Sequence, residues 1–224
     1  MKLMFCAAVA LSLTPIAAHA ATADDFEIWS VLQASGSISG NIVGGLELSG
    51  RMVDDASRLG VAIVRPTIGY KISNAVTVHL GYVHQTTINQ NRRDTQEDRI
   101  FQQFNWTMGK IGKGTLSSRT RFEQRFVNTG NDTGLRFRVQ LRYTVPMKAK
   151  GTNFVVASEP IIALNTTNWG QREGFEQWRN FVGVNFPVAK KLTFETGFQH
   201  RYQKRLNQPD RSDYIVPVTL SYRF

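Results

Sequence analysis

The run Leu135-Arg136-Phe137-Arg138-Val139-Gln140-Leu141-Arg142-Tyr143-Thr144-Val145 carries an apolar or aromatic residue at every odd position and Arg, Arg, Gln, Arg and Thr at the even ones. Successive strand side chains point to opposite faces, so one face of this segment is greasy and the other cationic. The pattern recurs along nearly the whole chain, and charged residues interrupt every stretch after residue 20, well short of the roughly 18 continuous apolar residues of a spanning helix. It predicts an all-β fold, an antiparallel transmembrane β-barrel of about 10–12 strands with its apolar face toward lipid and its polar face toward the lumen. A soluble lipocalin-like barrel would turn aromatics inward and charges outward.

Lys2, an apolar run over 3–13, Thr14-Pro15 and the small-residue site Ala18-His19-Ala20 predict a cleaved signal peptide over 1–20, with the barrel occupying 21–224. The only cysteine, Cys6, falls in that leader, so no disulfide, thiol nucleophile or cysteine metal site is expected beyond it. Lys2 leaves with the signal, so 26 basic residues face 17 acidic ones, a net charge of +9. So basic a chain would ordinarily raise nucleic acid as a partner. Export from the cytoplasm argues against it, and none is expected.

Eleven segments alternate: 26–38, 41–53, 59–73, 75–88, 98–111, 114–127, 133–147, 152–165, 175–188, 191–204 and 213–224. Tight connections at 73–75, 111–113 and 189–190 take turns with long polar ones at 89–97, 166–174 and 205–212, the asymmetry of short periplasmic turns and long outer loops. With that orientation Tyr70, Trp106, Tyr143, Phe186, Phe194 and Tyr222 form one aromatic band, and Tyr82, Phe126, Trp178, Tyr202 and Tyr214 the other. Eleven is odd, whereas bacterial single-chain barrels have even counts that close antiparallel. Either a break is missed, or 26–38 is not a full strand.

Sorting by face gives thirteen inward bases: Arg51, Arg65, Lys71, Arg99, Arg119, Arg121, Arg125, Arg136, Arg138, Arg142, Arg179, Arg201 and Arg223. The inward acids are four, Glu47, Glu123, Glu159 and Glu195. Uncompensated charge in a dry interior costs several kcal/mol per ion. The lumen is therefore either wet and anion-attracting, lined above all by Arg119, Arg121, Arg125, Arg136, Arg138, Arg142, Arg179 and Arg201, or filled by a structural ionic network in which Glu123 pairs with Arg138. No metal or other cofactor is expected. His79 points inward, whereas His84 and His200 face outward near the outer rim; Ser118 and Ser158 share that outward parity but not an adjacent segment. No acid is evidently placed to orient either imidazole, so no catalytic residue is assigned. Leu220, Tyr222 and Phe224 share one face of the last segment and resemble the terminal signal read by the barrel-assembly machinery.

The blocks Arg119-Thr120-Arg121-Phe122-Glu123-Gln124-Arg125-Phe126, the strand 136–143, Ala163-Leu164-Asn165-Thr166-Thr167, Trp178-Arg179-Asn180-Phe181-Val182-Gly183-Val184, the strand 192–202 and Trp29 near the start resemble the bacterial outer-membrane barrel family catalogued as domain of unknown function 2490. The resemblance implies the outer membrane of a Gram-negative cell and supplies no site residues. Three readings follow: a non-enzymatic porin-like barrel forming a small pore or binding small anions; a structural or accessory envelope barrel; and a lipid-modifying enzyme acting through His84 or His200. The expected partners are outer-membrane lipid and lipopolysaccharide, the barrel-assembly machinery and small anions.

Overall fold

Alternation at period two becomes strand throughout a computed structural model that describes residues 23–149, 151–205 and 208–224; the expected signal peptide, 1–20, lies outside the described residues. Eleven strands follow in order: β1 (Ala23–Ser39), β2 (Ile42–Val53), β3 (Arg58–Lys71), β4 (Val76–Thr87), β5 (Thr95–Ile111), β6 (Gly114–Val127), β7 (Gly134–Pro146), β8 (Asn153–Ala163), β9 (Gly174–Ala189), β10 (Leu192–Gln203) and β11 (Arg211–Arg223). Each pairs with its sequence neighbours, and β1 meets β11 to close the barrel.

The closure differs from the antiparallel expectation. Segment 26–38 is no partial strand: β1 has 17 residues and pairs with β11 in parallel, from Ala23↔Arg211 to Ser35↔Arg223. The reason is arithmetic. Consecutive antiparallel strands reverse direction each time, so the first and eleventh must run the same way. Both termini of the described chain join the seam. Phe224 donates its backbone N–H to Ser35 O at 3.2 Å, and its ring rests over Gly36, where a Cβ would come within 2.6 Å of it.

The connections sort by end. One end has tight turns at 40–41, 72–75, 112–113 and 190–191 and a longer one at 147–152; the other carries 54–57, 88–94, 128–133, 164–173 and 204–210. Gly40 and Gly112, with φ of +53° and +58°, take the left-handed conformation that these reversals demand. The start of β1 lies at the long-loop end and the end of β11 at the short-turn end.

The surface is inverted relative to a soluble protein. Leu32, Leu46, Ile68, Leu80, Ile100, Leu141, Val182 and Phe198 are exposed on the outer wall. Tyr70, Trp106 and Tyr222 are exposed toward the short-turn end, and Tyr82, Phe126, Trp178 and Tyr214 toward the long-loop end. The buried residues face inward. Ile63, Val83 and Phe101 make a small apolar cluster, with the Phe101 ring lying over Gly81, where a Cβ would come within 2.1 Å of it. Most of the other buried residues are polar or charged.

The parallel seam can be tested by cross-linking. Ser30 and Val218 are Cα partners across it, and the sole native cysteine is Cys6. Ser30→Cys with Val218→Cys should oxidise to a cross-link that changes mobility under non-reducing electrophoresis. Ser30→Cys with Tyr222→Cys, offset by roughly 13 Å along the strand, should not. Efficient linkage of the second pair alone would overturn this register.

Candidate functional site

Inward side chains of β5 to β9 build one continuous ionic network. Glu97 accepts from Arg99 Nε at 2.6 Å and from Arg125 Nε at 2.5 Å. Arg125 lies 3.7 Å from Glu176, which also takes Arg136 at 3.1 Å. Arg136 reaches Glu123 at 2.5 Å, and Glu123 holds Arg138 at 3.1 Å and Arg121 at 3.5 Å. Arg138 bridges to Glu159 at 2.8 Å; Arg119 joins Glu159 at 3.1 Å and Arg179 stands 3.9 Å away. Glu123 is fully buried, and Arg121, Arg136, Arg138 and Glu159 nearly so.

Register explains the assembly. Arg121↔Arg138 and Glu123↔Arg136 are direct partners on β6 and β7, so two like charges face each other at one step. Glu123 sits at the next step and accepts from both neighbours. Opposed guanidinium groups repel unless a carboxylate lies between them.

A second cluster clamps the seam. Arg211 contacts Asp25 at 2.8 Å, Glu27 at 3.0 Å and Asp213 at 2.5 Å, while Arg201 contacts Glu27 at 2.8 Å and Asp213 at 2.5 Å. The carboxylates of Asp25, Glu27 and Asp213 lie within 4.8 Å of one another, close enough for a cation. Arg201 and Arg211 offset two of its three negative charges. Two isolated pairs, Glu47 with Arg65 at 2.6 Å and Glu195 with Arg142, stand lower in the barrel.

Five of these acids were absent from the inward set read off the sequence: Asp25, Glu27, Glu97, Glu176 and Asp213. Arg211 was missed as well. The inward count becomes fourteen bases against nine acids, and the excess falls from nine to five. Glu27 and Asp213 carry the inward parity of their strands. Glu97 is hidden because β5 begins earlier than the alternation, and Glu176 because a register shift between Ile161 and Ile162 disturbs the parity of β9.

The loops close this half of the barrel. Gln171 Nε2 donates to Leu135 O at 3.2 Å and Asn165 O at 3.0 Å, and its Oε1 accepts from Arg125 at 3.0 Å. Trp169 Nε1 donates to Asp132 O at 2.7 Å, with Arg125 5.0 Å above its ring. Beyond the strands, Asp210 accepts from the Tyr202 hydroxyl and from the Arg205 backbone N–H, which together hold its carboxyl below the usual range. The short-turn half is different: Thr67, Asn105, Ser117, Thr144, Asn185 and Ser221 line it and are all half-buried.

On the outer wall His84 Nδ1 lies 2.8 Å from Asp98, which also accepts from the Tyr82 hydroxyl. An acid therefore does orient one imidazole, against expectation. His200 Nε2 lies 3.2 Å from Ser212 Oγ. Ser212, at the end of the polar 205–212 stretch of the sequence, is the second residue of β11 rather than part of a loop. Ser158 bonds Asn180 and Trp178 instead. His79 faces inward, 3.1 Å from Asn105. Leu220 pairs with Leu32 across the seam, and Tyr222 and Phe224 stay exposed at its short-turn end.

Residues 26–213 match the family described as "Protein of unknown function (DUF2490)". The chain is also 32% identical over 220 residues to an uncharacterised protein of Methylorubrum extorquens, covering 97% of this chain and 96% of that one. No solved structure matches it.

Glu123 is the point at which the network is most vulnerable. Removing its charge strands Arg121, Arg136 and Arg138, so Glu123→Gln should cost about 3–5 kcal/mol of stability in denaturant unfolding. Asp54→Asn, at the exposed pair with Arg58, should cost about 1 kcal/mol or less. Equal losses would show that the network is not the core of the barrel.

Proposed function

The chain belongs to the family described as protein of unknown function DUF2490, and we propose that it is a non-enzymatic outer-membrane barrel that binds small anions rather than passing them through an open pore. One observation carries the reading. By strand parity the inward bases outnumber the inward acids by five, Lys71 and Arg223 being exposed at the short-turn end, and Arg51 among the others makes no ion pair with any described residue. Unmatched guanidinium groups attract anions, and low-dielectric walls focus that field.

A binding role is favoured over conduction by the cap of Gln171 and Trp169 above the ionic network. Entry would be from the short-turn end, through the half lined by small polar groups. Membrane placement is supported by the exposed apolar wall and its two aromatic bands. Outer-membrane lipid and lipopolysaccharide would cover that wall, and the barrel-assembly machinery would read Leu220, Tyr222 and Phe224. In this orientation the short turns face the periplasm.

A second reading, a lipid-modifying enzyme at the outer wall, has the contact between His200 and Ser212 in its favour. A serine nucleophile needs a base within reach and a group to orient that base. His200 has the hydroxyl without an acid, while the acid sits by His84 on β4 and β5. The constellation is split between two places on the wall.

Two measurements test these readings. Purified barrel in planar bilayers should add no steady conductance, and calorimetric titration with phosphate or sulfate should show binding that weakens as chloride rises. Steady conductance by the native chain would replace the binding reading with a pore. Fatty-acid release from phospholipid that disappears in Ser212→Ala would replace it with the enzyme.

A further inference from the structure

We propose that the anion is an oxyanion and that it binds between Arg51, Arg179 and Arg201, against the indole ring of Trp29. This rests on the anion-binding reading above and gives it a place. Three guanidinium carbons surround one ring: Arg51 at 3.9 Å from its centroid, Arg201 at 5.3 Å and Arg179 at 5.4 Å. Trp29 and Arg51 are direct partners on β1 and β2, and Arg179 and Arg201 are direct partners on β9 and β10. The barrel thus brings two cross-strand pairs together around a ring that is itself buried.

Arg201 is committed to Asp213 and Glu27, and Arg179 donates Nε and an NH2 group to Gln177 Oε1 at 3.3 and 2.9 Å, so the unused donors are those of Arg51 and the remaining NH2 group of Arg179. Glu27 accepts from Trp29 Nε1 at 2.5 Å and from Arg201 and Arg211, so its carboxylate is committed to the seam cluster and turned away from Arg51. Arg179 has Glu159 only at 3.9 Å, and that carboxylate is shared with Arg138 and Arg119 at shorter distances. Arg51 has no hydrogen bond or ion pair among the described residues, and its Nε is buried without a partner. Gln199, two residues from Arg201 on the same face of β10, likewise buries an unpartnered Nε2.

Buried donors are rarely left unmade in a folded protein, and each one signals a missing acceptor. An orphaned Arg51 Nε within a group of three guanidinium ions calls for an acceptor-rich anion. A guanidinium fork fits two oxygens of a phosphate or sulfate at once, which chloride cannot reproduce. The indole ring provides a flat wall on which Arg51 stacks, holding its fork in one orientation. The same chemistry suits free phosphate and the phosphate of a lipid headgroup.

The test is calorimetric titration of the full barrel in zwitterionic detergent with inorganic phosphate, repeated with Arg51→Gln, Arg51→Lys and Arg58→Gln. Arg58 lies at the start of β3 and pairs with Asp54, so its variant removes one positive charge outside the site. Native protein and Arg58→Gln should bind alike. Arg51→Gln should weaken binding at least tenfold and Arg51→Lys several-fold, with heat-modifiable electrophoretic mobility confirming the fold. If Arg51→Gln does not fold, Arg51→Lys carries the comparison. Vesicles of phosphatidylglycerol or phosphatidylcholine, without free phosphate, separate the sources. An Arg51-dependent heat with phosphatidylglycerol alone assigns the site to a headgroup, and one with inorganic phosphate alone to the free ion. Native protein that binds neither ends the anion-binding reading altogether. Native protein that binds while both Arg51 variants bind equally well leaves that reading standing and overturns this site.

Discussion

A sheet that closes on itself leaves no row of unpaired N–H and C=O groups, and the rest of this structure follows from how that closure is made. Eleven strands joined by reversals cannot close antiparallel. The seam between β1 and β11 is therefore parallel, and the two ends of the described chain emerge on opposite sides of the barrel. Parallel pairing has slanted bonds and is slightly less stable per residue than antiparallel pairing. Side chains compensate along the seam. Gln33 bonds Ser221 at 2.6 Å, and Arg211 reaches across to Asp25 and Glu27. The clamp of charges at the long-loop end and the Phe224 ring on Gly36 at the other hold both ends of one line.

The interior has an ionic core where a soluble domain would have an apolar one. Burying an ion pair is often no more stabilising than an apolar replacement, whereas removing one partner is costly. The network therefore adds less to total stability than to the choice of one register: Glu123 sits opposite Arg136, within reach of Arg121 and Arg138, only when β6 and β7 pair as they do. A slip of one residue would turn these charges to the outer wall. The same rule that specifies the network leaves Arg51 and Arg179 underused, because their strands offer no further carboxylate at that depth.

Strand identity, the facing of each strand and the charge of the interior were legible in the sequence because period-two alternation records them directly. Leu135 to Val145 suffices for β7. What alternation does not record is where it stops and where it slips. Glu97 belongs to a strand whose first turn-adjacent residues look polar on both faces, and Glu176 stands at a shift in pairing that no single strand reveals. Ser212 beside His200 has the same origin, a strand that begins inside an apparent loop. The odd count of alternating segments is visible in the sequence, but the parallel pairing of first and last strands that it requires leaves no mark on either strand alone. The contacts of Arg51 with Trp29, and of Arg179 and Arg201 with the same ring, depend on side chains meeting across the lumen. No linear pattern encodes that meeting.

The position of the cap has a consequence for motion. Gln171 and Trp169 lie on the connection between β8 and β9, which reaches over the network and is fastened to the neighbouring loop through the Asn168 N–H and Trp169 Nε1 donating to Asp132, and to β7 through Gln171 Nε2 donating to Leu135 O. The bonds to Asp132 are exposed hydrogen bonds rather than strand ladders, and segments held that way open at lower free energy than ladders do, although Gln171 itself is buried. Each opening would wet Arg125 and Glu97 first and leave Glu123 dry. The barrel would then respond to its surroundings by graded hydration from one end, its walls unchanged, like a stoppered vessel whose stopper breathes.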